Sequence, residues 1–227
     1  MCLLSYYVPG SMPVREHLEN GARLNPDGFG WAMLAGGELL TRRYLNGAAA
    51  IEDFMAQRAR NPDVPALFHS RHATDTGATV ANCHPFPLGT GAVVAHNGYL
   101  FPVTEGEERS DSRIFAEEIL PRYDLDDPAH AARLEKWLGT NKVVVLSSSP
   151  ARDQAAYILN ADRGVWLDHG GTWHSNPDYT GTPQDGTRCR SCGHGDLLGG
   201  LSLATGGELC RDCVTAMDYR TATAALR

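Results

Sequence analysis

The sequence predicts an α+β fold built in layers. Candidate strands dominate up to residue 96, helical segments follow between 110 and 138, and strands return at 142–167. A parallel α/β fold would instead alternate strands and helices one for one. The candidate strands are short apolar stretches set off by Gly, Asn, Asp and Pro. With 42% hydrophobic and 21% charged residues among 227, the chain has enough apolar material to bury a core of useful size.

In chain order, strands are expected at 3–8, 30–34, 39–45, 66–71 and 92–96, with Gly36-Gly37 closing a tight hairpin between the second and third. A helix over 48–60 places Ile51, Phe54 and Met55 on one face. A second helix starts at Ser110 or Asp111, either of which can cap it. It carries Ile114, Phe115, Ile119 and Leu120 before Pro121 ends it. A third spans 128–138. Strands at 142–147, 155–160 and 164–167 then read as a meander, turning at Ser149-Pro150 and Asp162-Arg163-Gly164. Residues 1–180 form one unit. A stretch rich in Gly, Pro, Thr and Asp supplies a linker at 181–187, and 188–227 make a separate module and tail.

A net charge of −7 argues against a surface that holds nucleic acid by electrostatics. The start of the chain lacks a basic segment followed by an apolar one, and no apolar run is long enough for a bilayer. The expectation is a cytoplasmic protein without membrane contact. In that compartment six cysteines point to metal binding or catalysis more readily than to disulfides. Four of them, Cys189-x2-Cys192 and Cys210-x2-Cys213, have the two-knuckle spacing of a tetrahedral structural Zn2+ site. A redox dithiol would need only one pair, and four thiolates leave the metal no open position. Arg188, Arg190 and Arg211 are offset by Asp196, Glu208 and Asp212, so docking to another protein is the more economical role for this module.

Cys2 and Cys83 remain. The chain opens Met1-Cys2, and a side chain as small as cysteine in second position is compatible with removal of Met1. That would leave thiol and α-amine on one residue, and an amine with a pKa near ~8 can take the thiol proton. The dipeptide alone equally describes an ordinary small residue in a first strand. Three polar segments sit at strand ends: 25–31, 68–74 followed by 82–86, and 94–99 with Ser110-Asp111-Ser112 downstream. Attack on an amide needs donors for the oxyanion, which an Asn-Gly turn can offer. A free amino acid also needs a cation and an anion, for which Arg71 and Asp111 are suited. Plainer roles exist for each: a common β-turn for His96-Asn97-Gly98, a surface ion pair for Arg71, a helix cap for Ser110-Asp111. His69, His72, His84 and His96 lack the spacing of a metal hydrolase and read as strand-packed or supporting histidines. Cys83 and His84 read as scaffold near the pocket.

In combination, Met1-Cys2, Asn25-Pro26-Asp27-Gly28-Phe29-Gly30, Ser70-Arg71 to Thr74, Asn82 to Pro85, His96-Asn97-Gly98 and Ser110-Asp111 resemble the class II glutamine amidotransferases, especially their small stand-alone members. The resemblance covers residues 2–180. It implies the four-layer αββα sandwich of the N-terminal-nucleophile hydrolases and a Cys2 nucleophile assisted by its own amine. It also implies an oxyanion hole from Asn97 and Gly98, a grip on the glutamine α-carboxylate by Arg71, and on its α-amine by Asp111. His72 and Thr74 fall in the substrate-binding segment. A synthetase partner that receives ammonia is implied as well. Two departures stand out. Many members read R-W-A-T-H-G where this chain has Arg71-His72-Ala73-Thr74-Asp75-Thr76-Gly77, and the cysteine module replaces a synthase domain. A γ-glutamyl amide hydrolase acting on a conjugate, or an inactive zinc-containing adaptor, would also be consistent with these motifs.

Overall fold

Two antiparallel sheets lie face to face, each backed by helices, in a computed structural model that describes residues 2–89 and 91–179 together with 201–202 and 208–209. The larger sheet comprises β1 (Leu3–Tyr7), β2 (Phe29–Ala35), β3 (Glu38–Tyr44), β4 (Ala66–Ser70), β9 (Val165–Leu167) and β10 (Thr172–His174), in the order β3-β2-β4-β1-β10-β9. The smaller has β5 (Phe86–Pro87), β6 (Ala92–Asn97), β7 (Lys142–Ser147) and β8 (Ala156–Leu159) in chain order. The helices are α1 (Arg15–Leu24), α2 (Gly47–Arg60), α3 (Asp111–Ile114) and α4 (Pro128–Leu138). Local chemistry starts three of them: the Asn46, Ser110 and Asp127 side chains accept from Ala49 N, Arg113 N and Ala129 N.

Strand alternation sorts the apolar residues into three cores. Leu3, Tyr7, Phe29, Trp31, Met33 and Phe68 meet Leu18 of α1 and Ile51 and Phe54 of α2. On the opposite face of the same strands, Leu4, Tyr6, Ala32 and Leu67 meet Val93, Ala95, Val144 and Leu146 of the smaller sheet. Val94, Val143 and Val145 then pack outward on Leu134 and Leu138 of α4 and on Phe115 and Ile119 beyond α3. The result is four layers, helix–sheet–sheet–helix. Covered on both faces, β1, β4, β6 and β7 are buried along their whole length. Each large apolar side chain so buried contributes about 1.5–3 kcal/mol.

Three elements escape sequence reading. Helix α1 begins at Val14 with no side-chain cap and carries an interior glycine, Gly21, whose missing side chain lets the helix settle against Leu3. Strand β5 has only two residues, and β10 only three. The latter is held between β1 and β9, with Ser5 opposite His174 and Trp173 opposite Trp166. Two expectations are corrected. The second helix is α-helical only to Ile114; a π-helical turn, Phe115–Ile119, and a 3-10 turn, Leu120–Arg122, follow. The final strands do not form one meander: β8 pairs with β7, but β9 crosses to the larger sheet. The chain is redirected at Asn160, which is left-handed at φ 56° and whose side-chain amide donates to Gly139 O and Asn141 O.

The linker at 181–187 and the four cysteines of the 188–227 module lie outside the described residues. Between the cysteine pairs, 201–202 and 208–209 pair as antiparallel strands, Leu201 opposite Leu209. Among the described residues no helix is long and apolar enough to cross a membrane, and no group of three or more His, Cys, Asp or Glu is placed to hold a metal ion.

Gly30 lets the segment that precedes β5 pass close over β2. A side chain there would collide with the His84 carbonyl oxygen and stand 2.8 Å from Arg42 O, both rigid backbone. Gly30→Ala is expected to lower the unfolding free energy by about 1–3 kcal/mol, the usual cost of overpacking. A urea unfolding curve superimposable on that of the native chain would contradict this packing.

Candidate active site

The candidate side chains gather where strands of both sheets end. Cys2 precedes β1, Arg71 follows β4, Asn97 is the last residue of β6, and Asp111 opens α3. Because β1 runs antiparallel to β4 with Leu3 opposite Ser70, the start of the chain lies beside the exit of β4. Cys2, Arg71, His72, Thr74, Gly98 and Asp111 line one pocket, together with Asp75, Thr76, His84, Val103, Ser110 and Ser112. It encloses about 340 Å3 of space between atoms, part of it open solvent.

The Cys2 sulfur is buried, 3.3 Å from His72 N and 3.8 Å from His72 O. Burial pushes its thiol above the ordinary value, while the His72 N–H and the Arg71 charge pull the other way. The residue is fixed from the far end of the unit. Asn176 Nδ2 donates to Cys2 O at 3.1 Å, the Tyr179 hydroxyl donates to the same oxygen at 2.6 Å, and Ser175 N donates to Leu4 O at 2.8 Å. None of these three residues stands out in the sequence, where Ser-Asn-Pro reads as turn material.

Arg71 is 4% exposed, and its guanidinium donates to Gly77 O at 3.0 Å, Thr76 O at 3.3 Å and Thr76 Oγ1 at 2.9 Å. Among the described residues it makes no ion pair with a carboxylate. A buried cation held only by neutral oxygens keeps its charge for an anionic ligand. The loop that wraps it is tied on both sides. Asp27 Oδ2 accepts from Ala73 N at 2.8 Å and lies 3.7 Å from His72 Nδ1. Asp75 Oδ2 accepts from the Tyr99 hydroxyl at 2.8 Å and from Val103 N at 3.3 Å. His72 and Asp75, the departures from the R-W-A-T-H-G pattern, are thus both engaged.

Asp111 Oδ2 accepts from Leu100 N at 2.8 Å, and its Oδ1 from Ser112 N at 2.6 Å. Asn82 braces the approach to it, accepting from Ser110 N at 3.0 Å and donating to Glu108 O at 2.8 Å. Gly98, at φ +141°, passes so close to Asn141 that a side chain would collide with the Asn141 carboxamide oxygen, so only glycine fits. Asn97 is close by but does not line the pocket. Its Nδ2 donates to Ser175 Oγ at 2.7 Å and to Asn176 Oδ1 at 3.1 Å, while Oδ1 has no partner among the described residues. Cys83 also stays off the pocket, its thiol donating to Thr79 O at 3.3 Å and Tyr44 O at 3.5 Å. His69 and His96 are packed between layers, with His69 Nε2 3.0 Å from His96 O.

No protein-family model matches the chain, and no curated protein matches it. Among solved structures it is similar to the glutamine phosphoribosylpyrophosphate (PRPP) amidotransferase from B. subtilis complexed with ADP and GMP. That similarity has a TM-score of 0.41 and 12% identity, covering 77% of this chain and 41% of that one. It is also similar to a glutamine aminotransferase class-II domain protein from Silicibacter pomeroyi, with a TM-score of 0.38 and 16% identity over 76% of this chain and 87% of that one. The chain thus spans about two fifths of the length of the first.

Burial pushes His69 and His174 down to about 3. Their unfolded-state values lie near ~6.5, so between the two the unfolded chain binds more protons than the folded one. The stability that the neutral rings contribute is complete above ~6.5 and is lost as pH falls towards 3. The urea midpoint is therefore expected to drop from pH 7 to pH 4, less steeply in His69→Gln. A midpoint constant across that range would contradict the neutral burial of these rings.

Proposed function

We propose that residues 2–180 form a class II, N-terminal-nucleophile glutamine amidotransferase domain that hydrolyses the side-chain amide of glutamine. One observation carries this proposal: residues as far apart in sequence as Cys2, Arg71, Gly98 and Asp111 line a single small pocket. A buried cation, a buried carboxylate and a thiol around one cleft are the complement of a zwitterionic amino acid with an electrophilic carbon at the end of its side chain.

Removal of Met1 places a free α-amine on the residue that bears the thiol. The neutral amine takes the thiol proton, which matters because burial otherwise keeps the sulfur protonated. The thiolate, steadied by the His72 N–H at 3.3 Å, attacks the side-chain amide carbon of glutamine. The C–N bond then breaks, the amine returns the proton to the departing nitrogen, and ammonia leaves behind a γ-glutamyl thioester. Water attacks the thioester and gives up a proton to the same amine, and glutamate departs as the thiol reforms. Arg71 holds the α-carboxylate and Asp111 the α-ammonium, with His72 and Thr74 walling the ligand. The Gly98 N–H meets the oxyanion. Asn97 joins it only by turning its amide from Ser175 and Asn176 towards the pocket.

We propose in addition that Cys189, Cys192, Cys210 and Cys213 hold one structural zinc, a reading supported by their spacing, and that ammonia passes to a synthetase partner. One zinc equivalent per full chain, by metal analysis, is the expected result for the module.

The enzymatic test is glutamine hydrolysis by the full chain, with intact mass reporting the loss of Met1. Cys2→Ala is expected to fall to background, and turnover that survives it would refute the mechanism. Asn97→Ala should slow kcat by about 10²–10³. Arg71→Ala should chiefly raise KM, by the ~1.5–3 kcal/mol of a charge-assisted bond, and an unchanged KM would remove Arg71 from the site. A γ-glutamyl conjugate cleaved far faster than glutamine would reassign the substrate while keeping the nucleophile.

A further inference from the structure

The buried polar side chains on the pocket wall are all engaged except one. Cys2, Arg71, Ser110, Asp111 and Ser112 each have a hydrogen-bond partner within the protein. His84 is 2% exposed and lines the same pocket, yet neither its Nδ1 nor its Nε2 finds a partner among the described residues. Two rings pack against it, both tilted: His69 at 3.9 Å centroid to centroid and 35°, and Phe86 at 4.6 Å and 59°. Its two unbonded ring nitrogens are the polar groups it can offer the pocket. Burying such a group unbonded is unfavourable, which marks it as a position kept for a ligand rather than for the core.

We propose that His84 is a substrate-binding residue whose ring N–H donates to the α-carboxylate of the bound amino acid, alongside Arg71. This rests on the glutaminase reading of the same pocket. A neutral imidazole offers one N–H and one lone pair. Burial, together with the basic groups around it, Arg71, Arg43, His69 and His96, drives off its second proton, so the ring stays in that neutral state. Its N–H needs an acceptor on the ligand. Glutamine has two, and the side-chain amide oxygen goes to the Gly98 N–H, leaving the α-carboxylate near Arg71. The structural role of the ring, packing against His69 and Phe86, is separable, because phenylalanine keeps the shape and removes both nitrogens.

The test compares the native chain with His84→Phe on glutamine and on L-glutaminamide, which lacks the carboxylate. His84→Phe is expected to raise the KM for glutamine about tenfold with kcat within about twofold, to change the KM for glutaminamide by less than about twofold, and to melt at or above the native temperature. His84→Asn, which keeps a donor, should recover part of the glutamine KM. An unchanged KM for glutamine, an equal penalty on both substrates, or a large drop in melting temperature accompanied by a fall in kcat would each overturn the assignment. If native enzyme turns over glutamine and His84→Phe does so equally well, only this inference falls. A native chain that turns over neither substrate removes the glutaminase reading, and this one with it.

Discussion

The position of the first strand is the constraint on which the rest depends. Strand β1 is central in the larger sheet, paired with β4 on one side and β10 on the other and buried on both faces. Here residue 2 is brought inside and its carbonyl is clamped by Asn176 and Tyr179. The thiol lies against the backbone of His72. Register does the rest, since Leu3 opposite Ser70 sets the first residues of the chain beside the loop that begins at Arg71. A slip of one residue would turn the apolar set of β1 inside out, so the burial that stabilises the fold also aims the sulfur.

Charge is handled in the same economical way. Arg71 is solvated by backbone and hydroxyl oxygens, and Asp111 by backbone amides and a serine, so neither neutralises the other. Buried groups kept apart by dipoles retain their attraction for a ligand that carries both signs. The layers give that arrangement its stiffness. The loop around Arg71 is anchored to the β2 approach through Asp27 and to the segment after β6 through Asp75, and both tethers are carboxylates accepting from amides or a phenol. Gly30 admits the backbone of His84, and Gly98 admits the Asn141 carboxamide.

Much of this was legible in the chain. Strands β1 to β4, β6 and β7, helices α2 and α4, and the Ser110 cap follow from period, turn residues and caps, which are local properties. Residue chemistry points to Cys2, Arg71, Gly98 and Asp111, and the family resemblance to His72 and Thr74; the fold brings all six to one cleft. The Asn-Gly turn points to Asn97 as well, but the direction of its carboxamide depends on Ser175 and Asn176, which come from the other end of the unit. Helix α1 was hidden because its start lacks a capping side chain and its interior glycine argues for a loop, although packing against Leu3 needs that glycine. The destination of β9 was hidden because an isolated three-residue strand carries no information about which sheet accepts it.

By itself, then, the amino-acid order determined the layered α+β class, most elements and the residue types able to do amide chemistry, since all of these rest on neighbours within a few positions. Tertiary structure alone decided that β9 and β10 complete the larger sheet, that residues 175–179 lock the start of the chain, and that His84 reaches the pocket with its nitrogens unbonded. These depend on contacts between residues up to 177 positions apart, and no local pattern records which distant partner a buried polar group meets.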